Sequence, residues 1–361
     1  MTLLKTIVSP ALILLVFLSA CAPPRIQPVD PIPALPPSQD YFRAVHAGNL
    51  VDMMRLVEEK AVDIALRDEA GWNALMYAAQ NGHEGIAEYC LMKGEKIDAR
   101  DKDGLTPLMI AVNFRQAGMV RYLLDSGARA DSRDQNGYTP LMWAVYNHSE
   151  DSIDPLLKTG LAVNARNRFG QTALHLAFDY RMAEAARKIL ASGADINLRD
   201  EHLQTPLHLA AAAGDRLGVA ELLRRGAACD LPDDQNETPL IKALAGSHRE
   251  VAIMLIERTA LVNQQDRYGR TALHLAVQLD LPDVVSALLA KRADPNVRDE
   301  WGYTPLMIAA RWGLEKSVRQ LLKSGASASI KNEYGQTARD IAADYRQNRV
   351  ADILGKKARK K

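Results

Sequence analysis

The sequence predicts an all-α repeat solenoid of about ten units, each 33 residues long. A Thr-Pro-Leu or Thr-Ala-Leu step recurs with a constant spacing of 33, at Thr106, Thr139, Thr172, Thr205, Thr238, Thr271 and Thr304. The register extends back to Asn73 and Asp40 and forward to Thr337. Leucines, small residues and glycines also recur at fixed distances from this step. A constant period of about 20–50 residues is typical of proteins in which each unit buries its apolar face against the next.

The first helix of each unit is predicted to begin at the recurring Thr, Asn or Asp, which we call the marker. The side-chain oxygen of such a residue caps the first free amides of a helix. Leu108 and, three positions later, Ala111 illustrate a leucine and a small residue that predict close packing on the neighbouring unit. Proline follows the marker in five units, where the first helical amide has no intrahelical acceptor: Pro107, Pro140, Pro206, Pro239 and Pro305.

A second helix in each unit is predicted from apolar pairs such as Leu123/Leu124, which form its core face. Glycine recurs 21 residues after the marker, as at Gly94, where a helix ends in a left-handed residue. Another glycine recurs two residues before the marker, as at Gly104, where a hairpin turn requires positive φ. Each unit therefore reads as two helices followed by a turn.

The period of 33 together with the Thr-Pro-Leu-His step at residues 205–208 resembles the ankyrin-repeat family. The resemblance covers the chain from about Asp40 onward. It implies helix-turn-helix units joined by β-hairpin fingers, with polar end units as caps. It also implies that partners bind the concave face, which is formed by the fingers and the exposed edge of each first helix.

Departures from the pattern predict weaker places in the array. Leu203 replaces glycine in the finger before Thr205, and because a left-handed leucine costs about 1–2 kcal/mol, we expect this finger to bend differently. Pro155 lies inside a second helix, which it should kink or start late. Thr259 and Arg292 replace the helix-ending glycine, so we expect looser joints there.

Residues 1–20 are predicted to be a signal peptide, because Lys5 precedes an apolar run too short for the ~20 residues of a membrane-spanning helix. The Leu-Ser-Ala-Cys step at residues 18–21 resembles the bacterial lipobox. This resemblance implies that Cys21 is lipidated and anchors the protein to a membrane of the bacterial cell envelope. Ala22 after the cysteine points to the outer membrane, facing the periplasm. An ordinary secretory signal with an incidental cysteine is the alternative.

The remaining chain divides into three parts. Residues 21–39 hold the cysteine and a linker that seven prolines between Pro23 and Pro37 make stiff. Residues 40–355 are predicted to hold the repeats. Residues 356–361 form a basic tail, interpreted as a solvated chain end or as a polyanion contact. The cations of this tail are Lys356, Lys357, Arg359, Lys360 and Lys361.

The composition and motifs do not indicate an enzyme. Hydrophobic residues at 47% and charged residues at 25% are average for a globular protein that buries a core. His175, His208 and His274 occupy one repeat slot, and the ankyrin resemblance implies that this histidine hydrogen-bonds across the repeat joint. Phosphate loops, nucleophile elbows and His-Glu zinc motifs are missing from the sequence. We therefore predict no catalytic residue, no metal, no cofactor and no nucleic-acid partner.

The predicted partner-binding face consists of positions three and one before each marker and seven and eight after it. Aromatic residues are concentrated there, and Trp and Tyr are favoured where proteins bind proteins. The alternative is that the fingers carry aromatics only to pack on one another. The candidate partner-binding residues are Trp72, Phe114, Tyr138, Tyr146, Phe169, Tyr180, Tyr268, Trp301, Tyr303, Trp312, Tyr334 and Tyr345.

Three classes of function remain open on the sequence. The leading hypothesis is an envelope-tethered scaffold that binds another exported protein, or, more narrowly, an inhibitor or immunity protein for a toxic enzyme. The second is a structural envelope component that contacts cell-wall polymer or lipid through the basic tail. The third is an enzyme whose cleft is assembled only by the fold.

Overall fold

The computed structural model describes the backbone of residues 38–358 and the side chains of residues 38–355. Within this range the chain forms ten successive helix pairs and no strand, which confirms the all-α repeat solenoid. The described chain divides into two compact parts, each made of several 33-residue repeats. From here on we call them unit 1, up to Asp195, and unit 2, from Ile196. None of the helices between residues 38 and 358 is both long and apolar enough to cross a membrane.

Unit 1 contains five helix pairs, and their first helices begin directly after the marker in all but the first pair. The helices are α1 (Ser38–His46), α2 (Leu50–Glu58), α3 (Ala74–Asn81), α4 (Glu84–Met92), α5 (Pro107–Asn113), α6 (Ala117–Asp125), α7 (Pro140–Tyr146), α8 (Glu150–Lys158), α9 (Ala173–Asp179) and α10 (Ala183–Ala191).

Unit 2 repeats this order, and its last helix extends three residues past the predicted end of the repeats at residue 355. The helices are α11 (Pro206–Ala213), α12 (Arg216–Arg224), α13 (Pro239–Ala245), α14 (Arg249–Arg258), α15 (Ala272–Gln278), α16 (Pro282–Ala290), α17 (Pro305–Trp312), α18 (Glu315–Lys323), α19 (Ala338–Asp344) and α20 (Asn348–Ala358).

The marker residues from Asn73 onward cap the first helices as predicted, whereas Asp40 lies inside α1. The Oγ1 atom of Thr106 accepts a hydrogen bond from the amide of Met109 at 3.3 Å, and Thr304 does the same for Met307 in unit 2. Proline at the next position is buried and costs no helical hydrogen bond, as at Pro107. Capping therefore sets where each repeat begins.

An aspartate or asparagine five residues before the marker closes each finger, a feature that the sequence analysis missed. The Oδ1 atom of Asp101 accepts from the amides of Asp103 and Leu105 at 2.9 and 2.8 Å. The predicted hairpin turn is present, but no strand flanks it within residues 38–358. The residues in this slot are Asp68, Asp101, Asp134 and Asn167 in unit 1, and Asp200, Asp233, Asp266, Asp299 and Asn332 in unit 2.

Backbone hydrogen bonds also tie each finger to the next within a unit. The amide of Gln135 donates to the carbonyl of Asp103 at 3.0 Å, and the amide of Glu333 donates to the carbonyl of Trp301 at 3.1 Å. At Gly302 a Cβ would lie 2.9 Å from the amide nitrogen of Glu333, so only glycine allows this approach. The fingers therefore form one connected row in each unit.

The bend expected at Leu203 is wrong, and so is a late start of the helix that contains Pro155; a kink at Pro155 stays a prediction. Leu203 has a φ of +59° and closes its finger as glycine does elsewhere, with its amide 3.1 Å from the carbonyl of Asp200. The Asp200 side chain holds this turn and offsets the cost of left-handed leucine. Pro155 does not delay its helix, because α8 begins at Glu150, in register with the other second helices.

The joint at Thr259 differs from the others in a way that the sequence did not indicate. Helix α14 is one residue longer than the second helices of the other pairs, apart from the terminal α20, and Thr259 is extended rather than left-handed. Its hydroxyl donates to the carboxylate of Asp230, which also accepts from the amide of Ala260 at 2.9 Å. Side-chain hydrogen bonds thus replace the glycine, and the greater looseness of this joint stays a prediction.

Candidate protein-binding surface

Two of the twelve predicted binding residues are buried, so they are withdrawn from the candidate surface. Trp72 is 2% exposed, and its Nε1 donates to the carboxylate of Asp101 at 2.9 Å. Tyr138 is fully buried, with its ring 5.8 Å from that of Trp143. Both occupy the position just before the marker, where Leu105 is buried as well. The aromatic side chains in this position of unit 1 therefore face the core, whereas Tyr303 in the same position of unit 2 is only partly buried.

The other four predicted residues of unit 1 are partly buried: Phe114, Tyr146, Phe169 and Tyr180. The rings of Tyr146 and Tyr180 meet edge to face at 5.3 Å, and Tyr146 lies 5.7 Å from Trp143. The ring of Phe169 lies under the guanidinium of Arg168 at 4.7 Å. Much of the aromatic surface of unit 1 is therefore packed against other side chains of the protein.

Unit 2 contains all the exposed aromatic side chains among residues 38–355. Their exposed fractions are 45% for Trp301, 53% for Trp312, 66% for Tyr334 and 49% for Tyr345. The two remaining candidates in this unit are partly buried: Tyr268 and Tyr303. We call these six residues the unit 2 aromatic patch.

One part of the patch is a stack between neighbouring fingers. The rings of Tyr268 and Trp301 are nearly parallel, with centroids 6.4 Å apart. The guanidinium of Arg270 lies 5.0 Å from the Tyr268 ring, and its Nη2 is 2.7 Å from the buried carboxylate of Asp266. The carbonyl of Tyr268 accepts from the amide of Glu300 at 2.9 Å, which holds the two fingers side by side.

The other part of the patch surrounds Arg311, in the last turn of α17. Its guanidinium carbon lies 5.7 Å from the ring centroid of Trp312 and 4.9 Å from that of Tyr345. Burial raises the pKa of Tyr303, and the positive charge of Arg311 partly opposes that rise. Trp301 makes no ring contact with Trp312 among the described residues, so the patch consists of two clusters.

The buried histidines stabilise the repeats. The Nδ1 atoms of His208 and His274 accept from the amides of their markers at 3.1 Å, and each Nε2 donates to a carbonyl of the next finger, of Glu237 and Tyr303. This confirms the predicted hydrogen bond across the repeat joint for His208 and His274. Burial lowers the pKa of both histidines to about 4.

A buried ion pair in unit 2 was not predicted from the sequence. The Nζ atom of Lys242 lies 2.7 Å from carboxylate oxygens of both Asp233 and Glu237. Burial alone would raise the pKa of Asp233, but the ammonium of Lys242 outweighs it and holds that pKa below its usual range. The sequence did contain a signal for this ion pair, since Lys242 stands at a helix position that is apolar in the other repeats. All its partners belong to its own repeat, which indicates a structural role.

The described residues offer no arrangement suited to metal chemistry, because no three His, Cys, Asp or Glu side chains converge there. The predicted lipidation residue Cys21 and the side chains of the basic tail lie outside the described residues. They stay predictions.

Comparison with known families agrees with the repeat geometry. A family model described as ankyrin repeats (3 copies) matches residues 42–134, 126–200, 207–299 and 282–361. Together these matches span most of the chain. No curated protein gave a significant match.

Proposed function

We propose, given that this chain belongs to the ankyrin-repeat family, that it is a scaffold of the bacterial cell envelope that binds another exported protein. Ankyrin repeats generally mediate protein–protein interaction, and proteins built from them are typically non-enzymatic. The unit 2 aromatic patch is the proposed contact surface.

The observation that carries this proposal is the segregation of exposed aromatic side chains. Trp301, Trp312, Tyr334 and Tyr345 are each more than two fifths exposed, whereas every aromatic side chain described in unit 1 is buried or partly buried. Exposed aromatic surface is costly to leave in water, and Trp and Tyr dominate the energetics of protein interfaces. Packing between fingers explains the stack of Tyr268 and Trp301 but leaves Trp312 half exposed.

The envelope location rests on the sequence of the first residues. The lipobox-like step ending at Cys21 would place an acylated anchor ahead of the proline-rich linker. Cys21→Ala should abolish labelling by a palmitate analogue and release the folded protein from membranes. Labelling of the Cys21→Ala protein would refute the anchor while leaving the binding proposal intact.

The binding proposal is tested by capture from envelope extract with matched variants. Trp312→Ala should reduce capture of a specific partner, since truncating an interface tryptophan costs ~2 kcal/mol or more in affinity. Leu217→Ala is the control, because Leu217 is 78% exposed on the second helix α12, away from the fingers. Thermal melts of both variants should match the wild type.

Two results would contradict the proposal. If wild-type protein and Trp312→Ala retain the same proteins in equal amounts, and Trp301→Ala does too, the patch is not the contact surface. If instead Trp312→Ala lowers the melting temperature and leaves capture unchanged, the tryptophan stabilises the fold and binds no partner.

A further inference from the structure

Arginines lie on aromatic rings at several points of unit 2, and they differ in how their charge is satisfied. Arg270, on Tyr268, has the carboxylate of Asp266 at 2.7 Å. Arg267, 4.6 Å from the same ring, donates to the side-chain oxygen of Gln235 and to the Tyr268 hydroxyl. Each of these two cations has an acceptor within the protein.

Arg311 is different. Its guanidinium lies beside the rings of Trp312 and Tyr345, yet within residues 38–355 it makes no ion pair and no side-chain hydrogen bond. Its Nε atom is buried without an acceptor. Leaving such a donor unpaired costs free energy, because the group has lost water and gained no partner.

The guanidinium of Arg311 lies over the faces of the Trp312 and Tyr345 rings. Aromatic rings engage the faces of this planar group, whereas its N–H bonds point outward in the plane. A carboxylate is the acceptor whose two oxygens match that edge. The partly exposed side chain of Arg311 allows such an acceptor to approach from solvent.

The acidic residues at this end of the patch differ in how far their charge is offset. Glu333 is paired with Arg298 at 2.7 Å, whereas Asp344 accepts from the neutral side chain of Gln336 at 2.7 Å and keeps its negative charge. Arg346, next to Tyr345, is a second exposed cation. Glu300 is exposed as well, but it lies on the finger of Trp301, in the other cluster of the patch.

We propose that Arg311, between Trp312 and Tyr345, anchors a side-chain carboxylate in an acidic and apolar segment of the partner protein. The apolar side chains beside that carboxylate would cover Trp312 and Tyr345. This inference rests on the proposed function and adds the chemistry of the partner to it.

The test is a selection from a random peptide library displayed on phage, with the folded wild-type protein as bait. Recovered peptides should be enriched in aspartate or glutamate next to apolar residues. For a recovered peptide, replacing the acidic residue by its amide should weaken binding about tenfold or more, as should Arg311→Gln in the protein. Arg311→Lys should also weaken binding, because lysine cannot reproduce the planar, bidentate geometry.

Arg319→Gln is the matched control, since it removes an exposed cation from the second helix α18 and should leave affinity unchanged. If Arg311→Gln does not fold, Tyr345→Leu is the second variant for the same binding test, because it removes one of the two rings beside Arg311 and keeps the cation. Binding of the acidic peptide should weaken as salt is added.

The outcomes separate the two proposals. Peptides that need Trp312 but show no acidic enrichment would overturn the carboxylate assignment and support the binding scaffold. Peptides that bind equally well to Trp312→Ala and Arg311→Gln would overturn both. If an oligonucleotide competes with the acidic peptide and binds more tightly at Arg311, the ligand of this site is a phosphate polyanion and not a protein segment.

Discussion

The two units use the same repeat and place their tryptophans in opposite environments. Trp72 and Trp143 of unit 1 are 2% and 1% exposed, whereas Trp301 and Trp312 of unit 2 are 45% and 53% exposed. In unit 1 each indole N–H donates to a finger aspartate: Trp72 to Asp101 and Trp143 to Asp134. The indole rings of Trp301 and Trp312 in unit 2 make ring contacts at the surface, and neither has a described hydrogen bond from its N–H.

The comparison teaches that the slot within the repeat limits what an aromatic residue does, and that the side chains around it decide the rest. Trp72 immediately precedes the marker and Trp143 stands four residues after it, and both are buried. Trp301 lies three residues before the marker and Trp312 eight after it, and both are exposed. Residue type alone therefore does not separate a core tryptophan from an exposed one, and the distance from the marker narrows the choice without deciding it, since Tyr303 in the slot of Trp72 is partly exposed.

The largest expected effect is on stability, and it tests the comparison directly. Trp143→Ala should lower the free energy of unfolding by about 3–5 kcal/mol, because it leaves a cavity and orphans a carboxylate oxygen of Asp134. Trp312→Ala should change it by less than about 0.5 kcal/mol, as is usual for surface sites. Urea unfolding followed by circular dichroism measures both. Equal losses would show that Trp312 is part of the core.

A smaller loss is expected at the slot that Trp143 and Lys242 share, four residues after the marker. Both donate to the aspartate of their own finger, one through an indole and the other through an ammonium. Lys242→Met should cost about 3 kcal/mol, since it leaves the carboxylates of Asp233 and Glu237 without their cation.

The double variant Lys242→Met/Asp233→Asn should recover part of that loss, because the unpaired charge is removed with the cation. Urea unfolding of the single and double variants measures this difference. A double variant less stable than Lys242→Met would mean that the finger needs a charged aspartate whatever occupies the lysine slot.

The smallest expected effect is a difference between the two units in how their stability depends on pH. Burial raises the pKa of Glu95 in unit 1 to about 7, from an ordinary value of 4.5. The folded state then holds this proton more tightly than the unfolded chain does, so the contribution of Glu95 is fully present below pH 4.5 and is lost as pH rises through 7. Glu95→Gln should therefore unfold at higher urea than wild type at pH 8, with a smaller difference at pH 5.

The buried histidines of unit 2 act in the opposite direction. Because burial lowers the pKa of His208 and His274 to about 4 from 6.5, their contribution is present above pH 6.5 and is lost as pH falls through 4. Amide exchange read separately in the two units should show that falling pH weakens α11 and α15. The same loss at α11 and α15 above pH 7 would contradict this sign.

Much of the fold could be predicted from the sequence because the repeat pattern is local. The marker threonines, the prolines behind them and the glycines of the fingers act within a few residues, and the structure confirms their roles. Leu203 shows the limit of this reasoning. The sequence predicts the conformational free energy of Leu203 from its own backbone alone, whereas in the structure the Asp200 side chain closes the turn with two further hydrogen bonds.

The sequence by itself determined the all-α repeat architecture, the register of the units and the set of aromatic residues from which the surface is drawn. Only the tertiary structure decided which of those residues are exposed, because exposure depends on the neighbouring repeat that covers each slot. It removed Trp72 and Tyr138 from the surface and left Trp312 on it. It also showed that the cation of Arg311 lies against two rings without an acceptor. One of these rings, Tyr345, belongs to the next repeat and meets Arg311 only when the repeats stack.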